Sequence, residues 1–253
     1  MGGMGSTVGQ LDKSDLLRAS GRGIDIALID TGVDSRHPDL RGRIAGNYEA
    51  QMGYLDAFVD AVPHGLDPNS HGTACAGILA RLAPGASIHN VQVIGDHPRD
   101  RPEKLIAGLR FAIAKRWPII NISAGIAKPH RLLHELVEAA VSAGSILIAA
   151  KDNRPDQVGF PAAYPAVIAV DMDYFPDPLG WRYHPGEEVE IEASGVYIDA
   201  PRAGGGRQSY TGTSFAVPHV AAIAARLKEL VPDLGTEVFR EFLSRQPSGS
   251  ARD

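Results

Sequence analysis

The sequence predicts an α/β domain with a doubly wound, mostly parallel sheet and helices on both faces. Three observations carry that expectation. Short runs rich in β-branched residues recur at 24–29 (IDIALI), 87–94 (SIHNVQVI), 118–123 (PIINIS), 145–150 (SILIAA) and 166–170 (AVIAV), and they read as buried strands. Between them lie windows of helical period at 103–117 and 130–143, the second apolar at Leu132, Leu133, Leu136, Val137, Ala140 and Val141. Strand and helix therefore alternate, which places ligand sites at the carboxyl ends of parallel strands.

A chain of 253 residues is long enough for one substantial core, and α/β folds of this size are commonly single domains. We expect one domain over 23–246, preceded by an N-terminal extension or expression scar (1–22) and followed by a flexible tail (247–253). With 44% hydrophobic and 22% charged residues the chain is not of the disordered class. Its net charge of −5 is scattered, so neither nucleic acid nor a membrane surface is an expected partner. The longest mostly apolar window, 139–150, is too short to cross a bilayer and is broken by Ser142, Gly144 and Ser145. The opening MGGMGSTVGQLDKSD has no basic region followed by an apolar one, so a cytoplasmic setting is expected, with a mature secreted form as the alternative. The single cysteine, Cys75, excludes an internal disulfide. Oligomeric state has no signal in the sequence.

Taken in order, the first strand runs into Asp30, Thr31 and Gly32. An acid at a strand's carboxyl end can be held partly buried, and the glycine lets the backbone turn, although an aspartate there is more often a turn former. Next, SHGTACAGILARLAPGA (70–86) sets His71 ahead of small residues at helical spacing. Small side chains let a helix approach the sheet and leave His71 in its first turn facing a cleft, yet a lone histidine there is more often structural. The stretch 189–200 (VEIEASGVYIDA) alternates and reads as a half-exposed strand or hairpin, and helices are expected at 213–230 and 236–244, broken by Pro232 and Gly235. Ser214, between Gly212 and an alanine-rich helix, is either a cap or a nucleophile. The nucleophile reading has a mechanism: a positive helix end favours developing negative charge, and a neighbouring histidine takes the hydroxyl proton.

Together the three candidates say more than any one. Asp, His and Ser in that order, each at a strand end or helix start, follow the subtilisin order of a catalytic triad. DTGVDSRHPDL, HGTACAGILA and GTSFAVPHVA closely resemble the three signature blocks of the subtilisin-like serine proteases, and VGFPAAYPAVIAV (158–170) resembles another stretch of that family. The resemblance covers about residues 23–230. It implies Ser214 as nucleophile, His71 as general base and then acid, and Asp30 as the residue that orients His71. It also implies that NISAG (121–125) pairs with an extended substrate, making Ser123, Ala124 and Gly125 substrate-binding positions.

The chain departs from that family at 146–153 (ILIAAKDN), where the family usually reads Ala-Ala-Gly-Asn and the Asn side chain donates to the oxyanion. Three readings stand: Asn153 serves through a one-residue shift, Asp152 serves if protonated, or the oxyanion hole is impaired. Some members of the family carry Asp at this place and remain active. The family's common calcium loop after the histidine-bearing helix has no counterpart in ILARLAPG (78–85), so no metal is expected, although Asp39 is retained. The segment 152–159 is short, which trims one rim of the specificity pocket.

The leading expectation is a serine endopeptidase acting on peptide or protein substrates with no cofactor. The first alternative is a peptide-maturation protease or transpeptidase acting on a ribosomal precursor peptide. The second is a non-catalytic peptide-binding subtilisin fold, motivated by Lys151 and Asp152. Three other signals are set aside. HELVE (134–138) is not HExxH, GGG (204–206) lacks the P-loop ending, and Cys75, one turn beyond His71, reads as a packing residue that thiol reagents could reach.

Overall fold

A strand covered on both faces sends successive side chains into two different cores, and β1 (Asp25–Asp30) does this: Ile26 and Leu28 enter one, Ala27 and Ile29 the other. The computed structural model describes residues 8–95 and 101–245. In it β1 pairs in parallel with β4 (Ser87–Gln92) on one side and β5 (Ile119–Ile122) on the other. Beyond β5 lie β6 (Ile146–Ala150) and β7 (Ile168–Asp173), also parallel. Beyond β4 lies β2 (Ile44–Met52), parallel to it, with β3 (Ala57–Ala61) antiparallel at the edge. The far edge is β9 (Ile191–Ser194), parallel to β7, with β8 (Trp181–Tyr183) antiparallel to it. The nine-stranded order is β3-β2-β4-β1-β5-β6-β7-β9-β8, so the chain's direction of winding reverses at β1.

Helices α2 (His71–Leu82), α5 (Thr213–Leu230) and α6 (Thr236–Arg245) cover one face, and α3 (Arg101–Ala114) and α4 (Arg131–Ser142) cover the other. The α5 helix is buried almost all round, which its alanine-rich sequence permits. This is the expected doubly wound architecture, with boundaries displaced by one to three residues.

The structure departs from the sequence reading, or adds to it, at three places. The stretch 189–200 is not a hairpin: β9 joins the main sheet, whereas β10 (Ile198–Pro201) pairs with β11 (Arg207–Tyr210) in a separate two-stranded sheet. The β2–β3 pair was not predicted, because its half-exposed residues show neither a clean alternation nor an apolar run. Residues 8–22 pack against the domain. Helix α1 (Lys13–Arg18) carries a capping box between Asp12 and Asp15, and Leu16 is fully buried. Arg226 of α5 donates to the carbonyls of Leu16 and Ala19, while Glu229 accepts the backbone N–H groups of Ser20 and Arg22. The predicted tail at 247–253 lies outside the described residues.

Candidate active site

The three candidate side chains come from three separate element ends. Asp30 closes β1, His71 opens α2 and Ser214 lies in the first turn of α5. Two glycines make the approach possible. A β-carbon on Gly32 would stand 2.0 Å from the Leu66 carbonyl oxygen, and one on Gly72 would stand 2.0 Å from the Gly32 carbonyl oxygen. Only bare backbone lets the β1 turn and the α2 start touch. Asn69 Oδ1 accepts the His71 backbone N–H at 3.1 Å, satisfying a donor that the helix start leaves open.

A continuous relay results. His71 Nδ1 donates to Asp30 Oδ1 at 2.7 Å, and His71 Nε2 stands 2.7 Å from Ser214 Oγ. Asp30 is fully buried and also accepts the Thr31 N–H at 2.6 Å, while its Oδ2 has no hydrogen-bond partner among the described residues. Burial opposes charge on both partners, but each offsets that cost for the other. Asp30 is lowered below its ordinary value by the His71 charge, and His71 is raised well above its own by the Asp30 carboxylate. The Phe215 ring lies 4.9 Å from the imidazole, centroid to centroid.

Pro218 inside α5 has a consequence for the site. It has no N–H for the Ser214 carbonyl four residues earlier. That oxygen instead accepts Ser123 Oγ at 3.2 Å and lies 3.5 Å from Cys75 Sγ. Ser123 is thus tied back to the serine-bearing turn, Ala124 is buried, and Gly125 is the exposed one of the three.

The opposite wall is the predicted departure. Lys151 Nζ pairs with Asp171 at 3.1 Å. The Asp152 carboxylate is clasped by Arg154 through Nε at 2.9 Å and Nη2 at 2.6 Å, and those bonds push its pKa down to about 2. A carboxylate so held has no proton to donate at neutral pH. Asn153 Oδ1 accepts the Thr213 N–H at 3.1 Å, and Thr213 Oγ1 donates to the Lys151 carbonyl at 2.6 Å. With Oδ1 committed to an N–H, the Asn153 amide nitrogen has no protein acceptor among the described residues. A cavity of about 310 Å³ joins His71, Ser214, Ser123 and Gly125 to Asp152, Asn153, Arg154 and Arg101.

Ligand atoms of Asp30, His71 and Cys75 lie within 4.8 Å of one another, the one such group among the described residues. Asp30 and His71 are committed to each other, and burial, followed by the Asp30 charge, pushes the Cys75 thiol up to about 11. A metal there would have to break the relay. Asp39, the retained acid of the family's calcium site, is met by the guanidinium of Arg207, which also reaches Asp199 at 2.8 Å.

The sequence model of the subtilase family matches residues 21–173 and 182–249. The chain belongs to the subtilase family. Subtilisin E of Bacillus subtilis (strain 168) is 33% identical over 220 residues, covering 81% of this chain and 55% of that protein. An intracellular serine protease of Paenibacillus polymyxa is 32% identical over 225 residues, covering 83% of this chain and 68% of that protein. Among solved structures, the S41 psychrophilic protease superposes with a TM-score of 0.74 at 25% identity over 90% of this chain and 86% of its own. Fervidolysin of Fervidobacterium pennivorans has the same fold, with a TM-score of 0.71 at 24% identity over 90% of this chain and 39% of its own. This subtilase chain spans about half the length of subtilisin E, 55%, and more of the Bacillus pumilus subtilisin, 77%.

Several residues that build the subtilase site escaped the sequence reading. Asp67 is the largest omission: it accepts Thr31 Oγ1 at 2.9 Å, Thr73 N at 2.8 Å and Thr73 Oγ1 at 2.6 Å, linking the Asp30 turn to α2. Its place in DPNSH, four residues before His71, was the available signal. Thr213 carried none, since its partners Asn153 and Lys151 lie far along the chain, and Arg101 carried none, since the cavity it lines is built from distant segments.

Proposed function

We propose that this domain is a serine endopeptidase. Ser214 is the nucleophile, His71 the general base and then acid, and Asp30 the residue that fixes the imidazole tautomer and stabilises its protonated form. One observation carries the reading: the unbroken relay Asp30–His71–Ser214, with both contacts at 2.7 Å, opening on a cavity large enough for one side chain. The likeness to proteases along the chain supports it.

Ser214 Oγ attacks the peptide carbonyl carbon as its proton passes to His71 Nε2. His71 returns that proton to the departing amine, leaving an acyl-enzyme, and then draws a proton from the water that releases the acid. The oxyanion is received by the Ser214 backbone N–H, free in the first turn of α5, and by the Asn153 amide nitrogen. Asn153 is favoured over Asp152 because its remaining donor is uncommitted, whereas Asp152 is ionised and clasped by Arg154. The substrate is a peptide or protein segment that lies as an added strand along Gly125, with Ser123 and Ala124 holding that edge in place. The active unit is a single domain over 23–246, and likeness to the P. polymyxa intracellular enzyme supports a cytoplasmic setting.

A fluorophosphonate probe on the folded protein, with digestion of a peptide library and mass analysis of the products, tests the reading. Labelling at Ser214 and linear products are the expected result. An unlabelled wild type would overturn it, and cyclised products would favour transpeptidation.

A further inference from the structure

The cavity beside Ser214 has an unbalanced charge. It is lined by three permanent cations, Arg101, Lys151 and Arg154, and by one carboxylate, Asp152. Arg154 is matched by Asp152, and Lys151 by Asp171. Arg101 has no hydrogen-bond or salt-bridge partner among the described residues, and its Nε is shielded from solvent. A buried N–H without an acceptor is unfavourable, and a guanidinium is not relieved by losing its proton. The terminal nitrogens are not closed off in this way, and Arg101 lines the cavity, so a ligand that brings an acceptor there meets a guanidinium that no protein group among the described residues yet engages.

We propose that Arg101 makes an acidic side chain on the acyl side of the scissile bond a specificity determinant, so that the substrates are peptides with Asp or Glu among the residues just before the cleaved bond. This rests on the endopeptidase reading and supplies its substrate class. The acyl side follows from position: Arg101 opens α3 and shares the cavity with Gly125 and Ile126, the edge along which an extended peptide lies. A carboxylate suits the guanidinium fork in two-point contact, which an amide or hydroxyl matches less well. The Asp152 carboxylate does not reverse the preference, because Arg154 contacts both of its oxygens. A basic substrate residue would have to displace Arg154 to use it.

The test uses N-acetylated, C-amidated fluorescent peptides with Glu, Gln or Lys at each of the four positions before a reporter bond, so that no terminal carboxylate competes. For the best position, the Glu peptide is expected to exceed its Gln counterpart about tenfold to hundredfold in kcat/KM, mostly through KM, and to lose part of that lead in high salt. Arg101→Gln should abolish the lead, Arg101→Lys should keep part of it, and Arg101→Glu should pass it to the Lys peptide, with circular dichroism confirming that each variant is folded. Affinities measured by anisotropy on Ser214→Ala, with and without Arg101→Gln, read the same preference without turnover. Equal treatment of Glu and Gln peptides, a lead for Lys in the wild type, or no binding of any peptide overturns the proposal. Wild type that does not cleave while Ser214→Ala still prefers the Glu peptide sinks the endopeptidase reading and supports the charge assignment.

Discussion

On one wall of the cleft, Asp30 and His71 sit where backbone meets backbone. Two glycines are in contact, Asp67 ties both turns together, and the Asp30 carboxylate is closed to solvent. On the facing wall, residues 151–154 hold their shape through ion pairs near the surface, Lys151 with Asp171 and Arg154 with Asp152. The first wall is fixed by packing, which tolerates no added atom. The second is held by ion pairs on top of its backbone and Thr213 hydrogen bonds, and the ion pairs tolerate replacement but respond to salt.

The contrast can be broken most sharply at Ser214. Ser214→Ala should lower kcat by about ten-thousandfold or more, the scale that triad removal has in subtilisins, while leaving peptide affinity within about threefold. A residual rate near wild type would mean that the relay is not the machinery. On the second wall, Asn153→Ala should cost about a hundredfold to a thousandfold in kcat, the known cost of an oxyanion donor in subtilisin, and Asp152→Asn only about threefold. Steady-state kinetics that reverse this order would move the donor to Asp152.

A pH profile separates the walls further. His71 must be neutral to act as base, and Asp30 raises its pKa, so kcat/KM should climb with pH, about tenfold per unit, on a limb above the ordinary histidine value of about 6.5. Asp152 should leave no trace between pH 5 and 9, because its pKa lies near 2. The same linkage acts on stability. A folded-state pKa above the unfolded one stabilises fully below about pH 6.5 and loses that contribution as pH rises through the folded value, so the stability advantage over His71→Ala should shrink in that direction, read by denaturant titration.

The smallest expected effect lies outside the cleft. Arg226→Met removes the donors to the Leu16 and Ala19 carbonyls and should cost about 1–3 kcal/mol of stability, with kcat preserved below the melting transition. Unchanged stability would mean that residues 8–22 contribute no anchoring.

Asp30, His71 and Ser214 were legible only together: each alone reads as a turn former, a structural histidine or a cap, and their order and the resemblance of the blocks around them singled them out. The α5 helix was legible to the residue, because small residues at helical spacing form a local pattern. The β2–β3 pair was not, because an edge strand is half wet and its pattern resembles a loop. Nor could 189–200 be divided, since its two halves join different sheets and pairing is a property of the partners. Thr213 and Asp67 reach across 60 and 36 residues to meet Asn153 and Thr31, and local patterns do not encode such distances.

By itself, the sequence determined the doubly wound architecture, because side-chain periodicity acts over a few residues, and it singled out the three residues of the relay through their order and the resemblance of the blocks that hold them. Tertiary structure alone decided which partners the side chains at 151–153 take. Arg154 folds back to claim Asp152, Thr213 takes the Asn153 oxygen and leaves its nitrogen without a protein acceptor, and Arg101 lines the cavity with no partner among the described residues. Each of those outcomes depends on which charges and donors the fold brings within a few ångströms, and screening and burial act on distance in space, not along the chain.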